Sequence, residues 1–331
     1  MPDISLLNPT VLRGVVEKFT APESLILLNS VPKSPWPFPS AQWDVITGSR
    51  MVAKPNVPNS EAHIVPRLGR SQESAAFVYL REKKVFEPTT LHWLRTPGEI
   101  AKTNAEAAVM REVGDLNQRF DNFAEYCLWQ ALTGTLTLDF PDVQATVDYK
   151  FAATHKPTAG TAWASATPAQ IIGNIRAWKR LVSRDGRVAA NQAYATEKTI
   201  SRIFDAYSVT SGNAPFLLSD RMKDQYYTSG TLPGFMGLNW TTVESIYETD
   251  NGTDTLFLAD EKVILGNFTE GRPIELMEGP TADDEAPENF TGKFAKTWKE
   301  KDPSARQYLL EWNLLPVITR PEQVVAADVS Q

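Results

Sequence analysis

The chain has 331 residues, 42% hydrophobic and 22% charged, with one cysteine and a formal net charge of −7. That is enough apolar material for about two domains, so wholesale disorder is excluded, and no apolar run approaches the ~18 residues of a membrane span. A single cysteine excludes an intrachain disulfide, and the acidic balance argues against a dedicated DNA-binding protein, which needs clustered Lys and Arg. Met1-Pro2-Asp3-Ile4-Ser5 shows no secretory pattern, so the expectation is a soluble protein made in a reducing cytoplasm.

Residues 1–43 read as an arm, with a short helix over 11–19 and another turn starting at Ala21-Pro22-Glu23-Ser24. Pro32, Pro35, Pro37 and Pro39 then remove four backbone donors, which excludes a helix or a central strand. Trp36 and Phe38 between these prolines favour an arm docked on a surface over a free linker. Residues 44–96 read as a long β-hairpin with a polar, turn-rich middle. A lone hairpin is marginal in water, so it must lie on its own domain or on a neighbouring subunit.

The clearest signal lies between residues 97 and 133. Thr96, Pro97 and Glu99 form a helix start. Val109, Val113, Leu116, Phe120, Phe123, Cys127, Leu128, Ala131 and Leu132 follow at alternating spacings of four and three, and Gly134 is a stop. A helix over 99–132 would be about 50 Å long at ~1.5 Å per residue, about three times the ordinary length. Gly114 interrupts any heptad pattern, so a spine packed on a sheet is expected in place of a coiled coil.

Val143, Ala145, Val147, Tyr149 and Phe151 alternate as in a half-buried strand. Thr167-Pro168-Ala169-Gln170 is a capping box opening a helix that carries Ile171, Ile172, Ile175, Trp178, Leu181 and Val182. Residues 197–207 read as helix, 255–258 and 262–265 as strands, 279–289 as an acidic surface loop, and 308–318 as a core strand. Helices and strands mix without a βαβ rhythm, so the fold class is α+β.

Residues that carry chemistry are scarce. His63, His92 and His155 have no partners at ligand spacing, and no nucleophile elbow or phosphate loop is present. Cys127 sits on the apolar stripe, as a buried inert thiol would. Asp283-Asp284-Glu285 is a dense carboxylate run, but a solvated loop does not hold a carboxyl desolvated for acid–base work. The nine tryptophans are spread from Trp36 to Trp312, as core and interface packing would have them. No catalytic, cofactor-binding or metal-binding residue is expected.

The order of parts (proline-rich arm, two-stranded excursion, spine helix, mixed domain, terminal strand) resembles the Hong Kong 97-type major capsid proteins of tailed bacteriophages, in particular the phage major capsid protein E family. The stretches that carry the likeness are Lys54-Pro55-Asn56-Val57-Pro58-Asn59-Ser60-Glu61 with Arg67-Leu68-Gly69, and Leu80-Arg81-Glu82-Lys83-Lys84-Val85 through Leu91-His92-Trp93-Leu94-Arg95. Val263-Ile264-Leu265-Gly266, Asp302-Pro303-Ser304-Ala305-Arg306 and Leu314-Leu315-Pro316-Val317 continue it. The resemblance implies an arm (1–43), an extended loop (44–96), a peripheral domain with the spine helix (97–186), an axial domain (187–270) and a return to the peripheral domain (271–331).

It further implies a structural role without enzymatic activity or cofactor. Copies would assemble as hexamers and pentamers into an icosahedral virion shell around double-stranded DNA, without sequence-specific DNA contact or membrane. Separate scaffold, portal and decoration proteins are the further partners it allows, and assembly would take place in the host cytoplasm. No crosslinking residues map onto this sequence. Residues 44–90 carry seven Lys/Arg and five Asp/Glu, whereas 99–132 is net −3. The expected inter-subunit contacts are therefore Arg67, Arg70, Lys83 and Lys84 against acidic residues of neighbours, with Trp36, Phe38 and Glu61 beside them. Two rivals are an encapsulin-like nanocompartment shell and a monomeric carbohydrate-binding or hydrolytic protein.

Overall fold

The computed structural model describes residues 16, 19–46, 52–53, 70–86, 99–140, 143–209, 220–249, 251–269, 272–302 and 304–330, excepting the side chains of 99–106, 207–209, 220, 221, 223, 233 and 304. The expected helix over 11–19 lies outside these residues apart from Val16 and Phe19. The arm continues as a short helix α1 (Ile26–Ser30) and a strand β1 (Lys33–Pro35). Next come β2 (Ser40–Ile46) and β3 (Arg70–Ala76), then β4 (Val78–Phe86). The spine α2 runs Glu99–Leu132, the bounds read from its capping residues and apolar stripe.

A hairpin follows, β5 (Thr135–Phe140) and β6 (Val143–Asp148), then α3 (Pro168–Asp185), β7 (Gln192–Ala195), α4 (Glu197–Val209) and α5 (Asp220–Ser229). The strands β8 (Thr231–Phe235), β9 (Leu238–Thr242), β10 (Ile246–Glu248), β11 (Asp254–Leu256) and β12 (Lys262–Gly266) come next. The chain closes with β13 (Ile274–Glu278), β14 (Phe294–Lys301), β15 (Ser304–Ile318) and β16 (Val324–Asp328). The α+β class stands.

Two hydrophobic cores organise these elements. The first joins the arm, the spine and a five-stranded sheet around β15. Val109, Val113, Leu116, Phe120, Cys127, Leu128, Ala131 and Leu132 are buried as expected, joined by Ala124 and Trp129, while Phe123 is half-buried. Gly134 ends the spine at φ 94°, a left-handed backbone that favours glycine. Gly114 faces the arm: a Cβ there would lie 3.5 Å from the Phe19 ring.

β15 is buried on both faces. Leu314 is in register with both Val78 of β4 and Glu278 of β13, so these two strands flank opposite edges. β14 shares the β13 edge nearer the start of β15. β1 adds to β13 in parallel as an edge strand, which is where a strand that carries proline is tolerated.

The second core surrounds a mixed sheet in the order β16-β12-β7-β9-β8. Ile171, Ile175, Trp178 and Val182 of α3 point into it, and its Thr167 capping box forms as the sequence indicated. α3 and the terminal β16, from either side of residues 187–270, both belong to this core. The terminal strand crosses back because Val325, Ala327 and Val329 complete the sheet that β12 opens.

Three expectations change. The alternating segment 143–151 is not a half-buried strand, because residues 143–146 are exposed in a two-stranded ribbon and only the following Tyr149 and Phe151 are buried. Among the described residues β4 does not pair within the 44–96 hairpin; it follows Phe77 and pairs with β15. The 279–289 segment is not a wholly solvated loop. Asp283, with its side chain only 2% exposed, is ion-paired to Lys296 and lies 3.7 Å from Arg81.

Candidate assembly surfaces and their anchors

The hairpin begins with Trp36. Its backbone N–H donates to the Glu278 carbonyl (2.8 Å), its Nε1 donates to the Ser40 carbonyl (2.9 Å), and its ring meets Phe38 edge-on at 5.6 Å. Trp36 is thus half-held by its own chain, whereas Phe38 is 59% exposed. β2 lies on the body through buried Ala41 and Trp43, the latter 6.2 Å from Tyr149. β3 pairs with β2 alone among the described strands, and no residue of it is buried. The ribbon therefore shows an outer edge whose hydrogen-bonding groups have no strand partner. Residues 47–69, apart from Val52 and Ala53, leave from the register pair Ile46 and Arg70 and lie outside the description, and Glu61 and Arg67 with them.

The cations of this region have partners within the chain. Arg70 Nη1 lies 3.3 Å from Asp44 Oδ2 on the paired strand, both exposed. Lys83 Nζ reaches Gln307 Oε1 at 3.4 Å. Lys84 does meet an acidic stretch of a spine helix, but the helix is its own: Nζ sits 2.7 Å from Glu112 Oε2 and 2.6 Å from Asp115 Oδ2. Burial lowers the affinity of Lys84 for its proton, but the hydrogen bonds to Asp115 and Glu112 outweigh it and leave the pKa above its ordinary value. Arg119 of the spine and Glu82 of β4 make a second pair between the same elements with the charges reversed (3.0 Å). Glu82 and Lys84, alternate residues of β4, both face α2, so the charges of the strand and the helix pair within the subunit.

Two deeper anchors have no counterpart among the residues singled out from sequence. Glu125, fully buried on α2, accepts hydrogen bonds from the backbone N–H groups of Leu27 (3.0 Å) and Leu28 (2.7 Å) and from Trp129 Nε1 (2.8 Å). Burial raises its pKa, and these three donors offset part of the rise. Lys293 donates to Asp121 Oδ1 (2.6 Å) and Asn117 Oδ1 (2.7 Å), with its ammonium 4.9 Å from the centre of the Trp312 ring. Burial pulls its pKa down against the attraction of Asp121. Lys33 of the arm approaches the same indole at 5.4 Å, and Trp312 Nε1 donates to Glu278 (3.2 Å). The available signal was Glu125 and Asp121 falling within the apolar stripe of α2, where a carboxylate requires donors.

Nothing in this arrangement assembles reactive groups. Cys127 is buried and its thiol pKa is pushed far up by desolvation. His155 is buried, with Nδ1 2.8 Å from the Val324 carbonyl and Nε2 3.3 Å from Asp185. His63 and His92 lie outside the described residues. Among the described residues no three His, Cys, Asp or Glu side chains gather as a metal site would require, and no helix is long and apolar enough to cross a membrane. Six of the nine tryptophans (43, 129, 163, 178, 240 and 312) are core residues.

A spine helix packed on a sheet, a clamped arm, an edge ribbon and a second mixed-sheet core together define a Hong Kong 97-type capsid fold. The chain belongs to the phage major capsid protein E family, which it matches over residues 10–329, and it is a shell-forming capsid protein. It is similar to a putative prophage capsid protein from E. coli CFT073, at 15% identity over 98% of this chain and 99% of that one, with a TM-score of 0.65. A phage-related protein from Bordetella bronchiseptica matches at 11% identity over 97% of each chain, with a TM-score of 0.54. An encapsulin from Synechococcus elongatus has the same fold, at 9% identity over 93% and 89% of the chains and a TM-score of 0.52. Among curated proteins, none matches at a significant level.

Proposed function

We propose that copies of this chain close as hexamers and pentamers into an icosahedral head around double-stranded DNA, assembled in the host cytoplasm before the shell becomes part of the virion. The β2–β3 ribbon supports this reading: the outer edge of β3 has no strand partner among the described residues, and the ribbon leads into an excursion of polar and turn-forming residues. Such a ribbon gains stability when it lies on a second subunit, and contacts repeated around a ring multiply in effect. Phe38 is the apolar contact of this surface, with Trp36 behind it. Arg67, Glu61, Arg70 and Lys83 supply polar contacts that set register, whereas Lys84 serves its own spine.

A net charge of −7 suits a container, which surrounds DNA without gripping it. No residue acts catalytically and no cofactor is needed; portal, scaffold and decoration proteins are the further partners. The family match favours a phage head over an encapsulin-like compartment. The test replaces residues 47–69 by an Asn-Gly turn joining Ile46 to Arg70. The subunit keeps its circular dichroism and Tm, and closed particles vanish from electron micrographs. Particles of normal size and yield from this variant would overturn the reading.

A further inference from the structure

Glu125 and the arm form a device that shell assembly alone does not call for. The two backbone donors on Glu125 belong to the second and third residues of α1, which are N–H groups a helix leaves without internal partners. Leu25, which precedes α1, supplies no side-chain cap. A carboxylate some hundred residues further along the chain does that work instead. Among the described residues no Lys or Arg is ion-paired with Glu125, so three N–H donors alone hold its charge in a buried setting, and two of the three come from the arm.

The attachment is therefore reciprocal. The arm needs the carboxylate to complete its helix, and the carboxylate needs the arm to offset its desolvation. Leu25, Leu27 and Leu28 seat α1 in the first core, and beyond α1 the arm holds on by edge contacts: β1 beside β13, Ser34 Oγ to Glu275 Oε2 (2.8 Å), and Lys33 over Trp312.

We propose that residues 19–39 form a strap that detaches from and re-docks on the spine helix as one unit, with Glu125 as its catch. The subunit then has two states, strap docked and strap released; release uncovers Leu25, Leu27 and Leu28 and the part of the first core they cover, while the second core and the pairing of β15 with β4 and β14 are kept. Glu125 is a positioning residue in this device. The inference does not depend on the shell reading, because it is measured on unassembled subunits.

The test is native-state hydrogen exchange followed by mass spectrometry on the full-length protein and its Glu125→Gln and Glu125→Asp variants. Glutamine keeps the size but turns an N–H₂ group toward an arm N–H; aspartate keeps the charge but withdraws it by one methylene. Peptides covering 25–35 exchange about tenfold faster or more in both variants, as expected for loss of a charge-assisted hydrogen bond. Peptides from β15 and from 107–120 of the spine keep wild-type protection. Acceleration spread evenly over β15 and the spine would overturn the proposal, since Glu125 would then serve the core as a whole. Unchanged exchange at 25–35 would overturn it equally.

Discussion

Lys293 Nζ lies 2.6 Å from Asp121 Oδ1, with side chains 15% and 4% exposed, and this pair ties the segment before β14 to the middle of the spine helix. A buried ion pair is weak evidence of net stabilisation, because desolvation offsets the attraction, but removing one partner strands the other. Asp121→Ala is therefore expected to destabilise the subunit by about 3–5 kcal/mol. Replacing both, as Asp121→Leu with Lys293→Met, recovers most of that loss. Urea unfolding of the single and double variants checks this, and equal losses in both would count against the pair as the cause.

Gly279 abuts Phe77, the lone residue between β3 and β4. A Cβ on Gly279 would approach the ring to 2.7 Å. Gly279→Ala forces the aromatic aside at the root of the ribbon and costs about 1–3 kcal/mol, the range for overpacking. Phe77→Leu in the same chain relieves the clash and restores part of the Tm. A wild-type Tm for Gly279→Ala alone would show that the ring moves freely.

Acid sensitivity follows from Asp328. Burial works against its ionisation, but Lys262 and Ser330 overcome this and hold its pKa at about 2, below the ordinary aspartate value of 3.8. A carboxyl with a depressed pKa contributes stability that is complete above its unfolded pKa and is lost as pH falls through the folded value. The wild-type Tm should therefore drop more steeply than that of Asp328→Asn as pH falls from 3.8 toward 2. Parallel curves for the two proteins would contradict this assignment.

Phe38 separates assembly from folding. At 59% exposure, Phe38→Ala is expected to shift subunit stability by no more than about 0.5 kcal/mol, the ordinary range for surface positions. Particle yield, followed by light scattering during assembly, should fall sharply. A variant that assembles at the wild-type rate would remove Phe38 from the interface.

The parts of the fold legible in the sequence were those whose local signals agree. The spine showed both ends because a proline start, a four–three stripe and a glycine stop coincide, and the α3 capping box did the same. Partner choice was less legible. The alternation of β4 looks the same whether it pairs with β3 or with β15, since a period of two does not name the neighbour. β1 is hidden by its prolines, which exclude a central strand but leave an edge open. Lys84 and the acids of α2 were recognisable as complementary, yet charge does not say whether two groups belong to one chain. Glu125 and Asp121 read as polar interruptions of an apolar stripe, and besides Trp129 and Asn117 on the same helix, the donors that satisfy them, Leu27, Leu28 and Lys293, come from distant segments.

Shell formation is the central claim, and electron microscopy of the purified wild-type protein under assembly conditions tests it most directly. The account predicts hollow, closed particles of uniform diameter, each built of many copies. A solution that stays at the 36.8 kDa monomer under every assembly condition, with no closed particles in the micrographs, would contradict it.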